Sequence, residues 1–75
     1  MAAMNINAKQ YEELVLGSKP VLVDFWAPWC TYCRRITTPY EMLAQQYGDK
    51  LHVTKINIDE EPLLANRERI EVIPT

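Results

Sequence analysis

The segment Val21-Leu-Val-Asp-Phe-Trp26 constrains the fold more than any other stretch of the chain. Its apolar, mostly β-prone side chains fall on both faces of an extended backbone. It therefore predicts a strand buried on both sides, as in a parallel sheet covered by helices. After three intervening residues, Cys30-Thr-Tyr-Cys33 opens a predicted helix that reaches Tyr47. Cys33, Ile36, Tyr40, Leu43 and Tyr47 recur at steps of three and four and predict its buried stripe. Pro39 lies inside this helix, where a missing N–H should kink it, and Gly48 is placed to stop it in a left-handed conformation.

The flanking chain repeats the alternation of strand and helix. A short strand around Ala3–Ile6 leads into Asn7, with Gln10 three residues on as in a capping box and Ile6 placed to staple against Tyr11. Tyr11, Leu14 and Val15 share one helical face before Gly17-Ser18-Lys19-Pro20 ends the helix. Leu51–Ile58 predicts a third strand. Asp59-Glu60-Glu61-Pro62 then sets proline in the first turn of a third helix, with acids at its positive end, and that helix runs to about Arg69. No repeat, linker or change of composition divides the 75 residues. The order strand, helix, strand, helix, strand, helix predicts one α/β layer domain with parallel pairing and right-handed crossovers.

Charge and cysteine usage narrow the function. Eight basic residues against ten acidic, a net charge of −2, argue against a nucleic-acid or membrane-surface patch. No apolar run approaches the roughly 20 residues of a membrane span. The start Met1-Ala-Ala-Met-Asn-Ile-Asn lacks the basic region and apolar core of a secretory signal, so a reducing cytoplasm is the expected compartment. One core of this size supplies only about 3–5 kcal/mol. The two cysteines, three residues apart, close too short a loop to make up the difference. Their expected role is chemical.

The strand-to-helix junction at Trp29-Cys30 predicts the first cysteine at free backbone N–H groups, which stabilise a thiolate. Cys33, one turn deeper on the apolar stripe, is expected to be buried and protonated. That pair suits a two-step exchange in which Cys30 attacks a disulfide and Cys33 resolves the mixed disulfide. Asp24 is the one ionisable residue of Val21–Trp26. Burial should raise its pKa and make it a candidate general base for Cys33. Lys55 is its expected cationic neighbour, or, if Asp24 is merely a strand-end acid, its salt-bridge partner. His52 alternates with Val53 along a strand and is expected at a surface or sheet position.

Val21-Leu-Val-Asp-Phe-Trp-Ala-Pro-Trp-Cys-Thr-Tyr-Cys33 resembles the active-site segment of the thioredoxin family. Lys55-Ile-Asn-Ile-Asp59 is similar to that family's third strand, Pro39 to its helix-kinking proline, and Ile73-Pro74-Thr75 to its cis-proline loop. The resemblance implies Cys30 as nucleophile, Cys33 as resolving thiol, and Asp24 as buried proton acceptor assisted by Lys55. It places Trp29, Thr31, Tyr32, Ile73 and Pro74 at the substrate, with the Ile73 backbone pairing to an extended segment and Trp26 packed under the active-site turn. Disulfide-containing proteins are the implied substrates and a thioredoxin reductase the implied electron donor, with no cofactor.

Two departures stand out. Thr31-Tyr32 replaces the family's usual Gly-Pro, so Tyr32 restores an N–H near the Cys30 sulfur and predicts a more stable thiolate and a more oxidising disulfide. Arg34 and Arg35 add positive charge at the same helix end, against the dipole but in favour of a thiolate. Thioredoxins also continue past the proline loop with a hairpin and a closing helix. Residues 1–75 are therefore expected to be a truncated thioredoxin domain, with Val21–Trp26 as an unpaired sheet edge open to self-association. Two other classes compete: a metal or iron–sulfur site shared between two C-x-x-C pairs in a dimer, and a non-catalytic interaction fragment.

Overall fold

The computed structural model describes residues 2–75; Met1, where the leader reading begins, lies outside them. The elements run β1 (Met4–Asn5), α1 (Ala8–Val15), β2 (Val21–Trp26), α2 (Thr31–Arg35), α3 (Thr37–Tyr47), β3 (His52–Asn57) and α4 (Pro62–Arg67). The three strands form one parallel sheet in the order β1-β3-β2. β2 and β3 pair over their full lengths, from Val21 opposite His52 to Trp26 opposite Asn57.

Strand alternation sorts the core onto two faces. Val53 faces α3 and joins Ala3, Tyr40 and Ala44, with Leu51 packed against them. Phe25 and Ile56 face the other way, onto Ile6 and Leu64, with Tyr11 and Leu14 of α1 and Ile70 completing the layer. A third cluster of Ala27, Cys30 and Cys33 sits beyond the C-terminal end of β2, covered by Trp26, Ile58 and Ile73. The Asn7–Gln10 capping box forms as the sequence predicts: Asn7 Oδ1 accepts from the Gln10 amide at 2.8 Å and Gln10 Oε1 from the Asn7 amide at 2.9 Å.

β2 lies at the edge of the sheet, as the sequence predicts; its two faces are buried near the C-terminal end, at Asp24 and Phe25, while Leu22 is 41% exposed. Its free side is met at one point, where Phe25 and Thr75 exchange both backbone hydrogen bonds, at 2.8 and 3.3 Å. The long second helix is broken at Ile36, which closes α2 and opens α3. Pro39, third residue of α3, has no N–H for the Arg35 carbonyl, so the interruption falls one turn before it. The break shifts the phase of the buried stripe. Tyr40, Ala44 and Gly48 are buried, while Leu43 and Tyr47 are exposed. Val15 is likewise exposed, because the face of α1 that reaches the core is that of Ala8, Tyr11 and Leu14.

Gly48 ends α3 at φ −60°, a right-handed value, so the left-handed stop assigned to it is absent. The left-handed residue is Arg69, at φ 58° after α4. There the Ile70 amide bonds the Ala65 carbonyl at 3.0 Å and the Arg69 amide bonds that of Asn66 at 3.1 Å, the Schellman pattern. Ile70 and Leu64 share one core cluster, which completes the motif. No acid occupies the first turn of α4. Glu61 instead precedes it and accepts from the Ala8 amide at 3.1 Å, tying α4 to the start of α1.

A Cβ is strained in the left-handed region, so Arg69→Gly should raise stability by about 0.5–1 kcal/mol despite the added freedom of the unfolded chain. Urea unfolding should show a higher midpoint with an unchanged slope.

Candidate redox site

The site is built where β2 runs out. The Cys30 amide donates to the Ala27 carbonyl at 3.1 Å, turning the chain by one step, and Cys30 remains extended (φ −89°, ψ 112°) as the N-cap of α2. Its Sγ takes the place that a serine or aspartate oxygen fills in an ordinary cap, accepting from the Cys33 amide at 3.1 Å. The two cysteines are joined as a disulfide, with their Cα atoms 5.2 Å apart. Both are buried, Cys30 at 7% and Cys33 at 4% exposure. The loop at the chain's end closes over them. The Ile73 carbonyl oxygen lies 3.7 Å from Cys30 Sγ, and the Ile73–Pro74 peptide is cis.

The amide that meets Cys30 Sγ is therefore that of Cys33. No bond from the Tyr32 amide to this sulfur accompanies it among the described residues of the disulfide form. The break at Ile36 also reverses the reading of Arg34 and Arg35. They occupy the last turn of α2, where positive charge complements the carbonyl end.

Around the sulfurs the surface is aromatic. Trp29 and Tyr32 are 64% and 66% exposed, Thr31 is exposed, and Ile73 and Pro74 are half-buried. Trp29 is held by a 3.0 Å hydrogen bond from its Nε1 to Asp59 Oδ2, and the Asp59 amide is held by Asn57 Oδ1 at 2.8 Å. Arg35 stacks on Tyr32, its Cζ 5.1 Å from the ring centroid. Neither Asp59 nor Arg35 stands out in the sequence as a partner of an aromatic residue. The available signals were Arg35 three residues after Tyr32 on one helix, and Asp59 two residues beyond a strand end. Two hollows of about 330 and 430 Å³ are lined by neither cysteine and by none of Trp29, Thr31, Tyr32, Ile73 and Pro74.

Asp24 is 5% exposed, and its register partner is Lys55. Burial raises the Asp24 pKa above the ordinary carboxylate value, and the Lys55 charge lowers it by less. The direct salt bridge between them does not form. Among the described residues the ion pairs are those of Arg67 with Glu12 and with Glu68. Lys55 Nζ stands instead over the Trp26 ring, 4.9 Å from its centroid. Trp26 packs on the cysteine cluster as expected, with its buried Nε1 unpartnered among the described residues. Tyr40, read from sequence as an apolar stripe residue, brings a hydroxyl into this layer. It donates to the Thr54 carbonyl at 2.5 Å, and burial together with the nearby Asp24 charge pushes its pKa up to about 12. His52 is half-buried in β3. No group of three or more potential metal-ligating side chains occurs among the described residues.

A cysteine pair held as a disulfide at a strand-to-helix junction, facing a cis-proline loop, on a parallel sheet flanked by helices, defines a thioredoxin-like α/β fold. The chain belongs to the thioredoxin family, whose model, described as Thioredoxin, matches residues 2–75. It is 46% identical over 70 residues to the thioredoxin of Griffithsia pacifica, covering 93% of this chain and 64% of that one. It is 45% identical over 75 residues to Thioredoxin 1 of Synechococcus elongatus, covering the whole of this chain and 70% of that one. The solved thioredoxin of Malassezia sympodialis superposes with a TM-score of 0.91 at 30% identity, over 99% of this chain and 68% of that one. The chain thus spans about two thirds of the length of these relatives.

Asp24 binds its proton more tightly in the folded than in the unfolded chain. The folded state is therefore penalised once pH rises above the unfolded carboxylate value of about 3.9, increasingly so until pH passes the raised folded value. Asp24→Asn should stabilise the protein at neutral pH, and the gain should vanish in acid below that window. Thermal unfolding against pH measures the difference.

Proposed function

We propose that the chain is a thiol–disulfide oxidoreductase that reduces protein disulfides through Cys30 and Cys33. The observation that carries the reading is the disulfide at the cap of α2, with the Cys33 amide on Cys30 Sγ and the Ile73 carbonyl beside it. In the reduced protein the same amide favours a Cys30 thiolate. That thiolate attacks one sulfur of a substrate disulfide, forms a mixed disulfide and expels the first substrate thiolate. Cys33 then gives its proton to Asp24 and attacks Cys30 Sγ. The internal disulfide forms and the second substrate thiolate leaves, so two electrons pass to the substrate.

An acid kept protonatable by burial is suited to accept the Cys33 proton. Lys55, beside it in register, opposes too large a rise and completes the catalytic set with Cys30, Cys33 and Asp24. Trp29, Thr31, Tyr32, Ile73 and Pro74 form the docking rim, and the Ile73 backbone adds the substrate as an extended segment. An exposed aromatic rim fits a protein substrate better than a small molecule. A thioredoxin reductase restores the dithiol in a reducing cytoplasm, which makes the chain an electron carrier in cellular redox balance. No helix is long and apolar enough to cross a membrane. Residues 1–75 form the N-terminal part of a thioredoxin domain, whose β2 edge self-association would cover.

Cys33→Ser should accumulate a mixed disulfide with a model substrate, seen as a mass increase in intact-protein mass spectrometry, whereas Cys30→Ser should form none. A chain that only binds would trap nothing in either variant. Asp24→Asn should slow the resolving step at neutral pH by about 10²-fold, measured as the decay of the mixed disulfide.

A further inference from the structure

Two arginines at the edge of the disulfide are left over by the fold. Arg34 and Arg35 are exposed, and neither enters the ion pairs among the described residues. Arg35 is nonetheless held, because its guanidinium stacks on the Tyr32 ring three residues back. Stacking restricts a long side chain that would otherwise sample many rotamers, so less freedom is lost when it meets a ligand. The guanidinium carries its N–H donors in a planar fork that matches a carboxylate.

Tyr32 stands between the two cysteines in sequence, so the Arg35 guanidinium held over its ring belongs to the same short helix that carries Cys33. On the other side of the cysteines, Trp29 already engages the Asp59 carboxylate. The rim is thus asymmetric, with an aromatic-backed cation on one side and an occupied acid on the other. The chain as a whole carries −2, so attraction for an acidic group would be local to this rim and not a property of the overall charge.

We infer that Tyr32 and Arg35 select among disulfide substrates, favouring proteins with an aspartate or glutamate beside the attacked cysteine. The inference rests on the oxidoreductase reading above. It is tested with three disulfide peptides identical except for Glu, Gln or Lys next to the cysteine. Each is mixed with the pre-reduced full chain, and the rate is followed by the fluorescence of Trp26 and Trp29. The Glu peptide should react about two- to fivefold faster than the Gln peptide, the scale of one exposed charge pair, and the Lys peptide slowest. The advantage should shrink at 1 M salt, where charges are screened beyond about 3 Å. Arg35→Gln should bring the Glu and Gln rates together. Equal rates for the three peptides, or a Glu advantage that survives Arg35→Gln, would overturn the selectivity while leaving disulfide exchange intact. Failure of every peptide to react would overturn the oxidoreductase reading and the selectivity with it.

Discussion

The parallel ladder between β2 and β3 is the constraint on which the rest of the molecule depends. Its six register pairs set Asp24 beside Lys55 and Trp26 beside Asn57. They also fix where β2 ends, and hence where Cys30 caps α2. Because strand alternation assigns each residue to a face, one shifted residue would move Asp24 and Trp26 to the face that now holds Phe25 and Ile56. The Asp59 that orients Trp29 follows directly from the end of β3, so both walls of the site are launched from the same pair of strands.

The polar groups around the cysteines are arranged by what the ladder leaves exposed or enclosed. Asp24 is enclosed, and the loss of hydration outweighs the Lys55 charge. Lys55 does not close onto the acid but lies over Trp26, whose ring face attracts a cation. The acid thus binds its proton more tightly than an exposed carboxylate would. The chain meets the Cys30 sulfur from two sides with backbone, the Cys33 amide and the Ile73 carbonyl, while Trp26, Ile58 and Ile73 pack on the cysteine cluster.

Much of this was legible in the residues. Val21–Trp26 and the third strand were readable because β-prone runs bounded by turn residues are local signals, and the Asn7–Gln10 box because a cap is made within four residues. The second helix was misjudged at Leu43, Tyr47 and Gly48. A periodic stripe assumes an unbroken helix, and the interruption at Ile36 changed which side chains face β3. That the Cys33 amide meets Cys30 Sγ was not legible, because spacing alone does not say which N–H points at the sulfur.

The sequence by itself determined the order of elements, the pairing chemistry of Cys30 and Cys33, and Asp24 as the acid inside the strand, because each depends on residue type and local spacing. Only the tertiary structure decided that Lys55 turns to Trp26 and does not close a salt bridge with Asp24. It also decided that Asp59 holds Trp29 and that Ile73 closes on Cys30. Those contacts join residues 29 to 43 positions apart, and they arise from sheet order and packing, which local spacing cannot report.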